Sequence, residues 1–256
     1  MTRSGILTLA LCALLLMHCQ SRSDGAASES AAMGAAASTV KGGTEDVRFT
    51  TSDGVVITGT LYAAGAKAPA VLCLHQWRSD RGSFASLARG LQQAGFTVLA
   101  IDMRGYGGSL KTADGKSVRP DRKARLDVEA AVGFLRGHAS VDPARIGIIG
   151  ASYGSSNALM YAAGDASVKA LVLLSPGLNY FNELPTEDAI KKVASRPIFA
   201  VASKEDVRSV ETLDAYAKVA KSMRTERYDN AGHGTDILAA SVGLERAIVE
   251  FLKKNL

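Results

Sequence analysis

Short apolar runs alternate with amphipathic segments along most of the chain. A strand that is covered on both faces of a parallel sheet has no polar side, so a short continuous apolar run predicts such a strand. Runs of this kind occupy residues 70–74, 96–101, 145–149, 170–174 and 197–201. Between them, apolar residues recur every three or four positions, which is typical of helices with one buried face. This spacing predicts helices over residues 83–94, 122–136, 153–163, 210–223 and 235–254, with a shorter helix over 188–193.

The order of these elements predicts an α/β fold. Two strands are expected first, over residues 47–50 and 55–61, because Asp53-Gly54 between them favours a tight hairpin turn. A short strand over residues 226–228 precedes the last helix. Regular alternation of strands and helices argues for an open, mostly parallel sheet with helices on both faces, and the hairpin adds an antiparallel pair at its N-terminal edge. Reactive groups in such a sheet lie just beyond the carboxyl ends of the strands.

The N-terminus has the pattern of a targeting segment. Arg3 precedes an apolar run over residues 5–17, which is typical of a signal peptide and shorter than the roughly 20 residues of a membrane-spanning helix. Cys19 and the polar residues after it resemble a bacterial lipoprotein signal, in which the cysteine becomes the lipidated first residue of the mature chain. The expected organisation is a signal peptide (1–18), a flexible low-complexity linker (19–43) and a folded domain (44–256). We therefore expect an exported protein of the cell envelope, with a secreted protein that carries no lipid as the alternative.

Composition excludes several classes of protein. Apolar residues make up 47% and charged residues 21% of the chain, as in ordinary globular proteins and unlike disordered, collagen-like or multi-span membrane proteins. The net charge is +5, but the lysines and arginines are scattered, so no nucleic-acid partner is expected. Three cysteines make no disulfide framework, and Cys73 is expected as a buried core residue. No cluster has metal-ligand spacing, so we expect neither a metal nor an organic cofactor.

A candidate nucleophile lies between a predicted strand and a predicted helix. Residues 150–154 form the pattern G-x-S-x-G with Ser152 at its centre. This position in the chain is the context of a nucleophile elbow, in which glycines leave room where the two backbones approach and tolerate strained dihedral angles. The elbow would present the Ser152 hydroxyl above the helix N-terminus. There the backbone N–H of Tyr153 is a candidate donor to an oxyanion.

A serine hydroxyl needs a base, and the chain has four histidines. His18 belongs to the predicted signal peptide, and His138 lies in a polar turn after a helix. His75 and His233 both lie in loops that follow strands. His233 is favoured as the base because the glycines on either side of it leave the imidazole accessible.

A carboxylate is expected to orient this imidazole. Asp206 lies just beyond the strand at 197–201, with Glu205 as the neighbouring alternative and Asp102 and Asp229 as more distant ones. The order serine, aspartate, histidine is the chain order of catalytic triads in the α/β-hydrolase fold. Asp206 is therefore the candidate third residue.

From about Val55 to Leu252 the chain resembles the α/β-hydrolase superfamily, especially its dienelactone-hydrolase-like and serine-aminopeptidase-like esterases. Residues 101–109 are similar to the D-x-R-G-x-G-x-S loop of that family, which is mostly structural, so Arg104 is not expected to be catalytic. Residues 74–77 (Leu-His-Gln-Trp) are similar to the family's H-G-x oxyanion loop. The resemblance implies that the Trp77 N–H is an oxyanion donor. Gln76, which replaces the family's glycine, is the alternative donor, and His75 would brace the loop.

The resemblance also bounds the size of the substrate. Lid domains in this family are inserted in the interval that corresponds to residues 175–196, which here holds little more than one short helix. We therefore expect no cap domain, an open site with Leu178, Tyr180 and Phe181 near its rim, and small or short-chain acyl groups. The side chains of Trp77 and Tyr153 are expected either to line the acyl pocket or only to pack.

The combined motifs indicate a reaction type. A serine at the elbow excludes the dehalogenases and epoxide hydrolases of the family, which use aspartate. Serine, histidine and aspartate together imply an acyl-enzyme route. The first hypothesis is a carboxylic-ester hydrolase that acts on small-molecule esters. The alternatives are a peptidase or amidase, an acyltransferase in which an alcohol replaces water, and a non-catalytic envelope protein. Membrane contact is expected only through a lipid at Cys19, and the oligomeric state is open.

Overall fold

The computed structural model describes residues 43–256, which form ten strands and seven α-helices. The predicted signal peptide, Cys19 and all but the last residue of the predicted linker lie outside this range. None of the helices between residues 43 and 256 is both long and apolar enough to cross a lipid bilayer.

The strands are numbered in chain order. They are β1 (Gly43–Thr50), β2 (Val56–Ala63), β3 (Ala68–Leu74), β4 (Thr97–Ile101), β5 (Val141–Ala151), β6 (Val168–Leu174), β7 (Asn179–Tyr180), β8 (Leu184–Pro185), β9 (Ile198–Ser203) and β10 (Arg224–Tyr228). The helices are α1 (Ala85–Gln93), α2 (Ala124–Gly137), α3 (Tyr153–Ala162), α4 (Glu187–Val193), α5 (Val207–Val219), α6 (Asp236–Ala240) and α7 (Leu244–Asn255).

Eight strands form one sheet in the order β1-β2-β4-β3-β5-β6-β9-β10. Strand β2 pairs antiparallel with both of its neighbours, and all other neighbouring pairs are parallel. The predicted hairpin is confirmed at the N-terminal edge, where Gly43 pairs with Ala63 and Thr50 with Val56. The prediction of a mostly parallel α/β sheet is therefore confirmed.

The sheet has an apolar core on each face. Along β3, Leu72 and Leu74 pack into the core under helices α2 to α5, whereas Val71 and Cys73 face the core under α1, α6 and α7. Side chains of a strand point alternately to the two faces, so a strand covered on both sides reads as one continuous apolar run. Burial of each large aliphatic side chain stabilises the fold by about 1.5–3 kcal/mol. In β3, β4, β6 and β9, polar side chains lie only within two residues of a strand end.

Two predicted elements differ from the observed ones. The helix predicted over residues 235–254 is two helices, α6 and α7, because Gly243 between them takes a left-handed conformation with φ +86°. The interval 175–196 contains, before α4, a small hairpin of β7 and β8 that the sequence did not predict. Of the three residues that join its strands, Phe181 and Asn182 have φ of +57° and +56°. A phenylalanine is rare in this conformation, and the turn therefore lacked the usual sequence signal.

Candidate active site

The candidate residues follow four strands that end at the same edge of the sheet. Strand β3 has β4 on one side and β5 on the other, so the chain reverses its direction of winding between β3 and β5. Open α/β sheets bind ligands at the carboxyl ends of the strands beside such a reversal. The loop 75–77 follows β3, Ser152 follows β5, Asp206 follows β9 and His233 follows β10.

The turn at Ser152 is sharp and conformationally strained. Ser152 has φ +52° and ψ −115°, and its N–H donates to the Leu174 carbonyl oxygen at 2.7 Å. A side chain at Gly150 would place its Cβ 2.4 Å from the Gly154 oxygen, and one at Gly154 would lie 2.2 Å from the Leu74 oxygen. The glycines therefore provide room, as predicted. The strained dihedral angles fall on Ser152 itself, which holds its hydroxyl above the N-terminus of α3.

Ser152, His233 and Asp206 form one chain of hydrogen bonds. The Ser152 Oγ lies 2.6 Å from His233 Nε2, and His233 Nδ1 lies 2.6 Å from Asp206 Oδ2. Ser152 is buried, whereas the His233 side chain is 44% exposed and reaches the surface of a cleft. A hydroxyl, an imidazole and a carboxylate in this order can pass a proton from the serine to the ring.

Asp206 is held ionised by its position at the start of α5. Its Oδ1 accepts from the Ser209 N–H at 3.4 Å, as the N-cap of the helix, while its other oxygen contacts His233. Burial raises the pKa of the Asp206 carboxyl, but the hydrogen bonds from Ser209 and His233 outweigh burial and hold the pKa below its usual range. An ionised carboxylate only accepts hydrogen bonds, so the proton of the neutral ring lies on His233 Nδ1 and Nε2 is free to act as a base.

The neighbouring carboxylate, Glu205, has a different place. It accepts from the Ser203 hydroxyl and from the N–H groups of Asn230 and Gly232, the last two at 3.0 Å. These bonds lower the pKa of Glu205 to about 2, the hydrogen bond from Ser203 having the largest effect. Glu205 thus anchors the loop that carries His233. The sequence analysis did not predict this role.

The loop after β3 lies against the same site. His75 is fully buried; its Nε2 accepts from the Met103 N–H at 3.0 Å, so its protonated Nδ1 donates to the Gln76 carbonyl oxygen at 2.7 Å. Burial lowers the pKa of His75, which keeps this ring neutral. With both nitrogens occupied and no contact to Ser152, His75 braces the loop.

Gln76 links two loops through its side chain. Its Oε1 accepts from both the N–H and the hydroxyl of Thr235, each at 2.8 Å. A side chain at Gly234 would collide with this amide, since its Cβ would lie 2.5 Å from Gln76 Oε1. The glutamine that replaces the family's glycine therefore ties the loop after β3 to the loop of His233. Within the described part of the chain, the backbone N–H groups of Gln76, Trp77 and Tyr153 donate to no protein acceptor.

A cleft of about 930 Å³ opens above Ser152. Leu178, Tyr180 and Phe181 line it, as do Gln76, Trp77, Asp206 and His233. Phe181 lies at the rim and is 56% exposed. Tyr180 is half-buried and reaches the floor of the cleft, where its hydroxyl oxygen lies 2.5 Å from Ser152 Oγ. The sequence placed Tyr180 among rim residues and did not predict this contact.

A second cleft, of about 630 Å³, adjoins the first. Trp77 and Phe181 line both, and their rings meet at a centroid distance of 4.9 Å. The buried Tyr153 ring lies on the side of the second cleft, 5.4 Å from the Trp77 ring, and its hydroxyl donates to the Asp121 carbonyl oxygen. Burial raises the pKa of Tyr153 to about 12. Trp77 thus both packs and lines a cleft, whereas the Tyr153 side chain does not enter the cleft of Ser152.

Arg104 and Asp102 lie beside the site without entering it. Asp102 accepts from the N–H groups of Arg81 and Gly108, at 2.8 and 2.7 Å. The Arg104 side chain is 1% exposed and pairs with Asp53 and Asp127. Neither residue contacts Ser152 or His233. In residues 43–256, no group of three or more His, Cys, Asp or Glu side chains is arranged to hold a metal ion.

Comparison with known proteins gives the chain a family. A family model described as alpha/beta hydrolase fold matches residues 69–192. The chain is 36% identical over 135 residues to the thiohydrolase apmlB of Arthrinium phaeospermum. This alignment covers 52% of this chain and only 43% of that protein. It is 32% identical over 242 residues to an uncharacterized protein of Mycobacterium tuberculosis, covering 86% of this chain and 83% of that protein.

A solved structure supports the same assignment. The esterase Pf2001 of Pyrococcus furiosus superposes with a TM-score of 0.70 at 21% identity, covering 84% of this chain and 93% of that chain. At this level of identity the likeness shows the fold alone. The eight-stranded sheet, the match of the family model and the Mycobacterium relative agree with one another, and the chain belongs to the α/β-hydrolase fold family.

Proposed function

We propose that this protein is a serine hydrolase that cleaves small or short-chain carboxylic esters through an acyl-enzyme intermediate. The observation that carries the proposal is the unbroken hydrogen-bond chain from Ser152 through His233 to Asp206, with 2.6 Å at both steps. This series of hydrogen bonds ends at a cleft that is open to solvent. A structural hydrogen-bond network has no need of an accessible imidazole, whereas a base that must reach a substrate does.

The reaction would begin at the Ser152 hydroxyl. Its proton passes to His233 Nε2 as Oγ bonds to the carbonyl carbon, and the carbonyl electron pair moves to oxygen. The unpartnered N–H groups of Trp77 and Tyr153 are the candidate donors to that oxyanion, with the N–H of Gln76 as the alternative to that of Trp77. The alcohol leaves with the proton from His233. Water then attacks the acyl group, gives a proton to His233 and releases the acid.

The cleft favours small substrates. The interval between β6 and β9 contributes only the β7–β8 hairpin and α4, so no separate domain covers Ser152 in the described residues. An amide bond has a poorer leaving group, and no additional domain is present there to select peptides. These features support an ester over an amide.

A thioester is the second candidate substrate. The match to a fungal thiohydrolase favours it, although the alignment spans less than half of that protein. Thiolates leave more easily than alkoxides, so the same residues suffice for both reactions.

The test compares the full-length protein with Ser152→Ala on p-nitrophenyl esters from acetate to decanoate, on a short-chain acyl thioester and on a p-nitroanilide. We expect turnover of acetate and butyrate, little of decanoate, and a loss of about 10⁴-fold or more in the variant. Equal rates in the two proteins would contradict the proposal. If the thioester or the anilide is the preferred substrate, thioesters or amides are the substrate class in place of esters.

Export to the cell envelope is a separate proposal, which rests on the sequence of residues 1–19. Metabolic labelling with palmitate, comparing wild type with Cys19→Ala, tests it. Label in the wild type alone supports a lipid at Cys19, and equal labelling argues against it.

A further inference from the structure

A second side chain contacts the oxygen that the proposed mechanism uses as its nucleophile. The Tyr180 hydroxyl oxygen lies 2.5 Å from Ser152 Oγ, as close as His233 Nε2 at 2.6 Å. The other partner of the Tyr180 hydroxyl is the Ser175 carbonyl oxygen, at 3.4 Å. The contact with Ser152 is therefore the main hydrogen bond of this phenol.

The direction of this hydrogen bond follows from proton counting. Asp206 only accepts, so the neutral His233 ring carries its proton on Nδ1 and accepts at Nε2. Ser152 must then donate its single proton to Nε2. Its oxygen has only lone pairs left, and Tyr180 is the donor in the bond to Ser152 Oγ.

The hairpin of β7 and β8 holds Tyr180 in this position. The buried Thr186, just after β8, donates its hydroxyl proton to the carbonyl oxygens before β7, and its oxygen accepts from the buried Tyr216 hydroxyl at 2.6 Å. Gly177 lies flat against the tyrosine ring, since a Cβ there would be 2.7 Å from Tyr180 Cε2. A donor that is fixed before the reaction stabilises charge without reorganising.

We infer that Tyr180 is a further catalytic residue, which donates a hydrogen bond to Ser152 Oγ whenever negative charge develops on that oxygen. The inference rests on the proposed function. In acylation, charge develops on Oγ as its proton moves to His233, and it passes to the carbonyl oxygen as the Oγ–C bond forms. In deacylation, Oγ takes the electron pair of the breaking Oγ–C bond and regains a proton from His233. Tyr180 keeps its own proton throughout.

The surroundings of Tyr180 keep it a donor at neutral pH. Burial, the largest influence, raises the pKa of the phenol above its ordinary value of 10.0. The nearby Asp206 carboxylate acts in the same direction, because it disfavours a second negative charge. A phenolate would lose the proton that the hydrogen bond to Ser152 needs.

The experiment measures p-nitrophenyl acetate hydrolysis by the full-length protein in stopped flow, with the pre-steady-state burst and the steady state followed separately. For Tyr180→Phe we expect both rates to fall by about 10- to 100-fold, with KM within about twofold of wild type. For Gly177→Ala, which keeps the hydroxyl but displaces the ring, we expect a loss in the same direction. Tyr161→Phe, which removes a phenol bound to Asp165, is the matched control and should hydrolyse at the wild-type rate.

The outcomes separate this inference from the proposed function. If Tyr180→Phe is as fast as wild type or faster, or differs only in KM, while Ser152→Ala is inactive, the role of Tyr180 is wrong and the serine mechanism stands. If Ser152→Ala retains the wild-type rate, the proposed function itself is wrong. A lower melting temperature of Tyr180→Phe, with an unchanged kcat of the folded protein, would make Tyr180 a structural residue and overturn the inference.

Discussion

Two polar networks, one around Arg104 and one around Ser152, differ in whether they reach a cleft. The Arg104 guanidinium donates to both oxygens of Asp53 at 2.9 and 3.0 Å and to Asp127 at 2.8 Å, and the Arg104 backbone N–H also donates to Asp127. Arg104 and Asp127 are buried. In this network every charged group has partners within the protein.

The network of Ser152 is open at one end. Asp206 and His233 are bound on one side, but the ring of His233 and the oxygen of Ser152 face a cleft of about 930 Å³. The closed network of Arg104 holds the fold, because its cation lies buried among carboxylates. The open network of Ser152 can meet a substrate, because its nucleophile and its imidazole border the cleft. Access from the cleft, rather than the number of partners, thus distinguishes the two networks.

The largest expected effect breaks the open network at its base. For His233→Ala we expect kcat to fall by about 10⁴-fold or more, because no other group accepts the Ser152 proton. The free energy of unfolding should change little, since the ring is partly exposed and packs in no core cluster. Steady-state kinetics and urea unfolding measure the two quantities. His138→Ala is the control and should keep full activity; a comparable loss there would contradict the assignment.

A second variant tests the choice among the acidic residues. For Asp206→Asn we expect kcat to fall by about 10³- to 10⁴-fold, because an amide donates to Nδ1 and leaves Nε2 protonated. Asp229→Asn removes the other carboxylate near this loop, which pairs with Lys204 at the surface, and should be neutral. The measurement is kcat of both variants on the same p-nitrophenyl ester. A larger loss for Asp229→Asn would show that Asp229, and not Asp206, orients His233.

The closed network should respond in the opposite way. Arg104→Met is expected to lower the free energy of unfolding by about 3–5 kcal/mol, because it leaves Asp127 buried without its cation. The kcat of the folded fraction should stay near that of wild type, since Arg104 does not touch the site. The midpoint of urea unfolding measures the change, provided that the slope of the free energy of unfolding against urea concentration is the same in both proteins. Arg246→Met removes an exposed arginine and should leave the midpoint unchanged. A stable but inactive Arg104→Met would refute the contrast.

The smallest effect concerns the loop anchor Glu205. Hydrogen bonds hold its pKa at about 2, below the ordinary 4.5. Its stabilisation of the loop is therefore present above pH 4.5 and lost as the pH falls from there toward 2. Glu205→Gln should lower the melting temperature slightly at neutral pH and kcat by about threefold. Melting curves of both proteins should converge at low pH, and a constant difference across the range would contradict this role.

Much of the fold was predictable because its signals are local. Continuous apolar runs marked the buried strands, and the G-x-S-x-G motif marked Ser152 at a strand end. The division of the last predicted helix at Gly243 and the β7–β8 hairpin were not predicted. In the first case a glycine separates two helices whose apolar spacing is continuous, and in the second the turn contains Phe181, a residue type that rarely takes a positive φ.

The sequence by itself determined the α/β architecture and the candidates Ser152, Asp206 and His233, because strand ends and their motifs can be read along the chain. The tertiary structure decided which side chains meet. Gln76 and Thr235 are 159 positions apart, and Tyr180 and Ser152 are 28 apart. The physical reason is that such contacts depend on how loops from different strands are oriented at one edge of the sheet, and this orientation is set by packing throughout the domain.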